Sequence, residues 1–346
     1  MVLYPSPATK ELLPLHRHAS SIPLLRLLRP HLPHALPLYS TLHTPGDDVP
    51  AWASFATSAT EDQAAFSRPW FVLADLGNQL RFFCSAETDA NLTEDAKAEA
   101  EELIAKSFRW YLTAHARGRT VIRIGAIPDL FTSAIERAFS KPFYPSNIHY
   151  QLLPPPPTDP SPLSAATTFP EGISVVEAEE GHIEQILSTS DVPHPPSYLL
   201  TRLAHTTALI HSPSSSPSRS SSSSPSDPSV PLPASSPASL ELVAHCTTHR
   251  DGSIGTVHVS PSFRQKGLGT LLVRARMEAM ALDPCPSSDV EKREGEGQSL
   301  ERYAFCYVSP QNEKSQALMR RLGMKRTEWA VSWAVVELPL VDEHDA

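Results

Sequence analysis

The hydrophobic positions of this chain follow helical and strand periods, and both halves show the same order of elements. In the second half the pattern predicts, in order, strands at 240–247 and 253–259, a helix at 267–282, a strand at 302–308, a helix at 312–321 and a strand at 325–337. In the first half a hairpin turning at Leu76-Gly77-Asn78 is followed by a helix from Thr93 to Ala116, a strand, a second helix and a closing strand. The sequence therefore predicts an α/β fold of two lobes, each a mixed sheet with flanking helices.

A change of composition marks where the lobes separate. Residues 154–172 are rich in proline and favour an extended segment, so we predict a first lobe at 1–153, a linker at 154–172 and a second lobe at 173–340. Within the second lobe, residues 211–239 contain almost nothing that could be buried, and residues 283–299 are charged and rich in Gly, Pro and Ser. We expect both to be disordered insertions.

The most specific stretch of the sequence is the junction between the predicted strand at 253–259 and the helix after it. This segment contains the basic residues Arg264 and Lys266 and the glycines Gly267 and Gly269. It continues as a predicted amphipathic helix. The first N–H groups of a helix have no intrahelical acceptor, and the helix dipole favours an anion there. Since glycine lets the backbone approach such an anion closely, we predict a phosphate-binding turn. It is neither a Walker loop nor a G-x-G-x-x-G dinucleotide motif.

Composition narrows the classes of partner and cofactor. The net charge of −9 and the pI near 5.9 argue against a nucleic-acid or anionic-membrane surface, and no stretch reaches the ~20 apolar residues of a membrane span. Four scattered cysteines indicate reduced thiols of a cytoplasmic protein, although the basic, acid-poor first 40 residues keep a mitochondrial location open. No metal is expected, because the N-terminal histidines have no carboxylate or thiol among them: His16, His18, His31, His34 and His43.

The junction resembles the acyl-CoA motif of the GNAT superfamily of N-acetyltransferases, Val-x-Pro-x-x-Arg-x-x-Gly-x-Gly-x-x-Leu. Its positions are occupied here by Val259, Pro261, Arg264, Gly267, Gly269 and Leu272. A second stretch, "YAFCYVSPQNEKSQALMRRLGM", resembles the superfamily's strand, Asn, helix and Leu-Gly-Met segment. In that superfamily the two strands splay apart and admit the pantetheine arm of CoA.

Most of the chain resembles the glycine N-acyltransferase-like family, in which a degenerate N-terminal lobe precedes a CoA-binding GNAT lobe. The stretches that carry this likeness are "LPLYSTLHTPGDDVPAWASFA", "GTVHVSPSFRQKGLG" and the closing Trp329 and Trp333. The resemblance implies transfer of an acetyl or other acyl group from acetyl-CoA or another acyl-CoA to the amine of a small acceptor such as an amino acid. Two alternatives stay open, a non-catalytic CoA-binding or interaction module and a protein N-acetyltransferase. The oligomeric state is not readable from the sequence.

The resemblance also implies which residues bind CoA. The acyl carbonyl would be held by backbone N–H groups of the strand and the pyrophosphate by the turn. The implied CoA-binding residues are Val257, His258, Val259, Arg264, Gln265, Lys266, Gly267, Leu268, Gly269, Thr270 and Asn312. We expect Asn312 to be a helix N-cap as well as a ligand.

The catalytic groups of the superfamily are only partly present. Ser253 stands where several members carry a Glu base, and a serine hydroxyl can hold a water but does not take a proton unaided. Asp251 is a substitute candidate within the turn "HRDGS". In a regular strand His258 would face the side opposite to Ser253, unless a β-bulge changes the register. Met319 replaces the usual Tyr acid, so we predict that Asp251 and water on Ser253 share proton removal.

Overall fold

The computed structural model describes ten stretches of the chain. They are residues 12–43, 49–56, 68–77, 79–116, 118–139, 147–151, 169–190, 194–212, 240–282 and 304–338. The predicted insertion at 283–299 and most of the predicted insertion at 211–239 and of the predicted linker at 154–172 lie outside these stretches, but His211 belongs to a strand and not to the predicted insertion. Their predicted disorder stays a prediction.

The described residues form strands and helices in both units. The strands are β1 His16–His18, β2 Ala51–Ala53, β3 Phe71–Asp75, β4 Gln79–Cys84, β5 Val121–Pro128, β6 Asn147–Gln151, β7 Ile173–Glu177, β8 Thr206–His211, β9 Glu241–Thr248, β10 Ile254–Val259, β11 Phe305–Val308 and β12 Lys325–Glu337. The helices are α1 Ile22–Leu28, α2 Leu36–Leu42, α3 Glu94–His115, α4 Thr132–Ala138, α5 Ile183–Thr189, α6 Pro196–Leu200, α7 Leu268–Leu282 and α8 Glu313–Arg321. Most elements predicted from the sequence occur within a few residues of their predicted bounds.

The chain divides into two compact units. The first comprises Met1–Pro154, Arg250–Ser253 and Asp283–Ala346, and the second comprises Pro155–His249 and Ile254–Leu282. Each unit contains one sheet. The predicted lobe bounds concern which stretches fold independently, and they stay a prediction.

The first unit is built on an eight-stranded sheet in the order β1-β2-β3-β4-β5-β12-β6-β11. The strands β4 and β5 are parallel and the other pairs are antiparallel. In this sheet β6 lies between β11 and β12, so strands from the two ends of the chain alternate. Helices α3 and α4 supply one apolar cluster, which includes Phe82, Phe108 and Phe131, and α1 and α2 supply another with Leu24 and Leu38.

Helix α3 shows how the sequence builds this core. Thr93 caps its N-terminus by accepting a hydrogen bond from the Ala96 N–H at 3.2 Å, as a threonine N-cap does. Ala100, Ile104 and Phe108 follow at helical spacing and are fully buried. The charged residues are left on the solvent side.

The second unit is built on an antiparallel sheet in the order β10-β9-β8-β7. Helix α7 packs against β8, β9 and β10. Within this sheet β10 is an edge strand, so one row of its backbone groups has no partner strand there.

The described residues contain three cysteines, Cys84, Cys246 and Cys306, and all three are buried free thiols. Burial raises the pKa of the Cys84 and Cys246 thiols to about 12, which keeps both protonated and unreactive. No described helix is both long and apolar enough to cross a membrane. The described stretches also contain no group of three or more His, Cys, Asp or Glu side chains that could hold a metal ion.

Candidate functional site

A β-bulge interrupts β10 where the sequence predicts the acyl group to bind. Gly255 is in register with Thr247, but His258 is in register with His245, so β10 carries one extra residue between these two pairs. Thr256 lies in the bulge with a φ of 47°. The expected alternation of a regular strand is therefore wrong at this point, because the bulge brings His258 to the same face as Gly255.

The bulge also places two imidazole rings together. The rings of His258 and His245 stack with centroids 5.5 Å apart, and His245 Nε2 lies 2.9 Å from Thr189 Oγ1. Burial, followed by the neighbouring His258, lowers the pKa of His245 to about 4. His245 is therefore neutral at physiological pH and can act on His258 only through ring contact and hydrogen bonding.

The turn after β10 is held by its own backbone and by two side chains. The Phe263 N–H donates to the Ser260 carbonyl at 2.9 Å, and Arg264 Nε donates to the Val259 carbonyl at 2.9 Å. The ammonium of Lys266 lies 4.8 Å from the ring centroid of Phe263. These contacts fix both cations beside the turn while their side chains stay exposed.

Left-handed backbone at two positions turns the chain into α7. Gln265 has a φ of 63° and Gly267 has a φ of 78°. The N–H groups of Thr270 and Leu271 both point back to the Gly267 carbonyl, at 3.0 and 3.2 Å. The preceding N–H groups, from Gln265 to Gly269, have no backbone acceptor among the described residues. They form the kind of donor array that binds a phosphate.

Helix α7 is anchored so that its N-terminus stays in place. Leu268 and Leu272 are buried against the sheet. Arg276 is also buried, and its Nε donates to Thr248 Oγ1 on β9 at 2.8 Å. The donor array therefore stands on a rigid helix, as a preorganised anion site requires.

The turn between β9 and β10 holds the two predicted catalytic residues in one hydrogen-bonded group. Asp251 Oδ1 accepts the Ser253 N–H at 3.0 Å and the Ser253 Oγ–H at 2.6 Å. Asp251 Oδ2 accepts from Arg81 Nη2 at 2.6 Å, and both side chains of this ion pair are almost completely buried. Gly252 has a φ of 79°, and a Cβ there would lie 2.6 Å from the Cβ of Ser40. The turn is thus fixed by its conformation, its packing and a buried charge.

Next to this turn the first unit buries polar groups that lack partners. Ser253 forms an isolated parallel bridge with Phe305 of β11. Two residues further along β11, Tyr307 is in register with His149 of β6, and their rings lie 5.2 Å apart. The Tyr307 hydroxyl oxygen and both ring nitrogens of His149 are buried and have no hydrogen-bond partner among the described residues.

Burial and nearby charge set the protonation of this pair. Burial lowers the pKa of His149 to about 4, with the Asp251 carboxylate opposing the shift. Burial raises the pKa of the Tyr307 hydroxyl well above its ordinary value, and the Asp251 carboxylate adds to the increase. Both side chains are therefore neutral at physiological pH and have unused hydrogen-bonding capacity.

Asn312 caps α8 as expected. Its side-chain oxygen accepts the Ser315 N–H at 3.0 Å. It also lines a shallow depression of about 420 Å³ together with Ser309, Gln311, Glu313 and Lys314. Met319, at the position of the superfamily's Tyr, is buried and brings no hydroxyl to α8.

The structure places the predicted site residues in two groups. Residues from Val257 to Thr270 belong to the second unit, whereas Asp251, Ser253 and Asn312 belong to the first. The roles predicted for them in binding and catalysis stay predictions. Arg81 is a functional candidate that the sequence analysis missed, and its signal is a lone cation in the otherwise apolar run of β4, "LRFFC".

Comparison with known proteins identifies the part of the chain with a recognisable family pattern. Residues 235–282 match the model of a family described as FR47-like protein, and this span contains β9, β10, the turn and α7. No curated protein sequence matches the chain significantly.

Among solved structures, a Drosophila protein from a structural genomics consortium has 15% sequence identity, covers 94% of this chain and 99% of its own, and gives a TM-score of 0.51. A tandem GNAT protein from the clavulanic acid biosynthesis pathway has 15% identity over 95% of this chain and 100% of its own, with a TM-score of 0.46. A GCN5-related N-acetyltransferase from Sphaerobacter thermophilus has 16% identity, with 79% and 78% coverage and a TM-score of 0.38. The prediction of a two-lobe α/β fold is confirmed, with a mixed sheet in the first unit, whereas the described strands of the second unit form an antiparallel sheet.

Proposed function

We propose that this protein is an acyl-CoA-dependent N-acyltransferase that moves an acetyl or other acyl group to the amine of a small acceptor. The observation that carries the proposal is the donor array from Gln265 to Gly269 at the start of α7, with Arg264 just before it and the Lys266 side chain within it. The FR47-like match covers the same residues. The array would hold the pyrophosphate of CoA, which serves as co-substrate, and the proposal involves no metal.

The reaction requires four events at the thioester. The acceptor nitrogen attacks the carbonyl carbon, the carbon–sulfur bond breaks, the amine loses a proton and the CoA thiolate gains one. Backbone N–H groups from Val257 to Val259 would stabilise the tetrahedral oxyanion, since β10 is both bulged and at the edge of its sheet. Because a thiolate is a good leaving group that draws a proton from water, the absence of a Tyr at Met319 would slow this step without preventing it.

We propose that no single strong base removes the proton from the amine. Both carboxylate oxygens of Asp251 already accept hydrogen bonds, from Arg81 and from Ser253, which limits their use as a base. A water held on the Ser253 hydroxyl would share the task with Asp251. The bulge adds His258 as a further candidate, because an imidazole titrates near neutral pH and the ring now lies on the face of Gly255.

A thiol-release assay tests the proposal. Acetyl-, benzoyl- and medium-chain acyl-CoA would be assayed against amino acids, polyamines and peptides with free amino groups. Turnover with a small amine supports it, and turnover with peptides alone would favour a protein N-acetyltransferase. Binding of acetyl-CoA without turnover would favour a non-catalytic module, which the replaced Glu and Tyr motivate.

The same assay compares the candidate bases. Shared proton removal predicts mild losses of kcat/KM for Asp251→Asn, Ser253→Ala and His258→Ala. A loss on the order of a thousandfold in His258→Ala alone would instead make His258 the base.

We also propose a cytoplasmic location, with a small-molecule acceptor as the partner and no nucleic-acid or membrane partner. The acidic net charge of −9 argues against a nucleic-acid or membrane partner, and the scattered cysteines, which are free where they are described, support the location. Imaging of a fluorescent fusion tests the location, and a mitochondrial signal would contradict it.

A further inference from the structure

Arg81 is a buried cation that the fold accommodates at some cost. It lies on β4 in the half of the chain that the sequence analysis considered degenerate, and it is 3% exposed. Its Nη2 donates to Asp251 at 2.6 Å and its Nη1 donates to the Leu80 carbonyl at 3.4 Å. Its Nε has no acceptor among the described residues. Burying a guanidinium with an unused donor costs free energy. A functional use of the charge would explain why it is buried here.

The neighbouring strand makes room for this guanidinium. Gly125 of β5 passes so close that a Cβ there would lie 1.8 Å from Arg81 Nη1 and 2.5 Å from Gln79 Nε2. Such distances are far inside van der Waals contact, so any side chain at position 125 would displace Arg81. The strand therefore fixes where the guanidinium meets Asp251.

The hydrogen bonds of Asp251 determine which way the Ser253 hydroxyl points. Ser253 Oγ–H donates to Asp251 Oδ1 at 2.6 Å, so the proton of the hydroxyl is committed. A hydroxyl has one donor and two acceptor lone pairs, and no described residue donates to Ser253 Oγ. The oxygen is thus held as a hydrogen-bond acceptor, and an amine N–H is the chemical group that suits it.

We infer that Arg81 is a positioning residue for the acceptor amine. It holds Asp251, Asp251 orients the Ser253 hydroxyl, and the lone pairs of Ser253 Oγ accept a hydrogen bond from the amine nitrogen before its attack. No covalent bond to Ser253 forms, and the proton of the amine passes to the water and the Asp251 carboxylate that share its removal in the proposed function. The inference rests on the proposed function and extends it, since it gives the first half of the chain a part in acceptor recognition.

The surroundings support a role beyond stability. A buried ion pair is weak support for stability, because apolar replacements are often neutral or stabilising. Close to Asp251 the unpartnered groups of Tyr307 and His149 are neutral donors and acceptors that a polar acceptor molecule could engage. A pair retained only for packing would not need such groups nearby.

The test measures acceptor kinetics and acyl-CoA binding for two variants of the full chain. Arg81→Met removes the charge, and Gly125→Ala displaces the guanidinium while both charges stay. We expect each to lower kcat/KM for the acceptor about fivefold, no further than Ser253→Ala does, because one hydrogen bond to the acceptor amine is weakened, with the Kd for acyl-CoA unchanged. Arg81→Lys, which keeps the charge but not the fork, should restore only part of the loss.

A second ion pair of the same unit supplies a matched control. Arg119 Nη2 donates to Asp75 Oδ2 at 2.6 Å, the same distance as in the Arg81–Asp251 pair. Arg119→Met should lower the melting temperature without changing kcat/KM when the assay is run well below that temperature. A double-mutant cycle provides the sharpest readout, since Arg81→Met should add nothing to the loss caused by Ser253→Ala if both act on one hydroxyl.

The kinetics of these variants decide whether Arg81 positions the acceptor amine. Full acceptor kcat/KM in folded Arg81→Met and Gly125→Ala, or losses that add to that of Ser253→Ala, would overturn it and leave the proposed function standing. If Arg81→Met does not fold, Gly125→Ala and Arg81→Lys give the same decision. Wild-type protein that binds acyl-CoA without any turnover would overturn the proposed function and this inference together.

Discussion

At the scale of single residues, Gly267 contributes through its backbone conformation. Its φ of 78° is one that L side chains rarely adopt, and a Cβ there would meet nothing within 4 Å. Gly267→Val should therefore cost about 1–2 kcal/mol of conformational strain without a clash in the free protein. In the complex the side chain would keep a pyrophosphate away from the donor array, so we expect acetyl-CoA binding to be lost in calorimetry.

The chain offers a closely matched control for this substitution. Gly118 has a φ of 79° and equally open surroundings, but it belongs to the first unit, whereas the donor array belongs to the second. Gly118→Val should lose similar stability and bind acetyl-CoA like the wild type. If Gly267→Val binds as tightly as Gly118→Val, the array does not hold the pyrophosphate.

Residues of this turn were predictable because their signal is local. Two glycines, two cations and an amphipathic helix follow one another in the sequence. The Arg81–Asp251 pair could not be predicted from the sequence, because its two residues are 170 positions apart and only the folded chain brings them together. The bulge in β10 could be named only as an alternative, since a strand with one extra residue reads like a regular strand until its partner is known.

At the scale of elements, β8 and β9 form a hairpin whose ends meet at the predicted insertion. His211 is in register with Glu241, so β8 ends and β9 begins at one paired position, and residues 212 to 240 connect its two members. Deleting 213–239, with Ser212→Asn and Leu240→Gly, would join the strands through a two-residue Asn-Gly turn. We expect the deletion to stabilise the protein by up to about 2 kcal/mol, because closing a shorter loop costs less entropy.

Urea unfolding of the full chain measures this effect. A variant in which residues 213–239 are shuffled at constant composition controls for their order, and it should unfold like the wild type. A lower midpoint in the deletion variant, with an intact shuffled variant, would mean that the segment contributes packing in spite of its composition.

Local elements were easier to predict than their pairing. Helix α3 and the β3–β4 hairpin follow from capping, periodicity and a turn, and the structure has them nearly as predicted. The short elements β7, α5 and α6 gave no clear period and were not predicted. The position of β6 between β11 and β12 could not be inferred, because pairing between distant strands leaves no periodic trace in either one.

At the scale of the whole molecule, two buried histidines link stability to pH. Burial lowers the pKa of His149 in the first unit and of His245 in the second to about 4, from an ordinary value of 6.5. Above pH 6.5 neither the folded nor the unfolded state is protonated at these rings, and the stability is fully present. Below it the unfolded chain binds protons that the folded chain excludes, so stability is lost as the pH falls towards about 4.

Each histidine should account for up to about 3 kcal/mol of this loss, since one pKa unit corresponds to about 1.4 kcal/mol. Denaturant unfolding at about pH 7.5 and about pH 4.5 would be compared for the wild type, His149→Gln and His245→Gln. Where glutamine fits, the variant should lose less stability than the wild type between the higher and the lower pH, because glutamine does not titrate. If His149→Gln and His245→Gln keep the wild-type dependence on pH, these rings bind protons equally in the folded and the unfolded protein, and the neutral rings described near Asp251 and His258 would have to be revised.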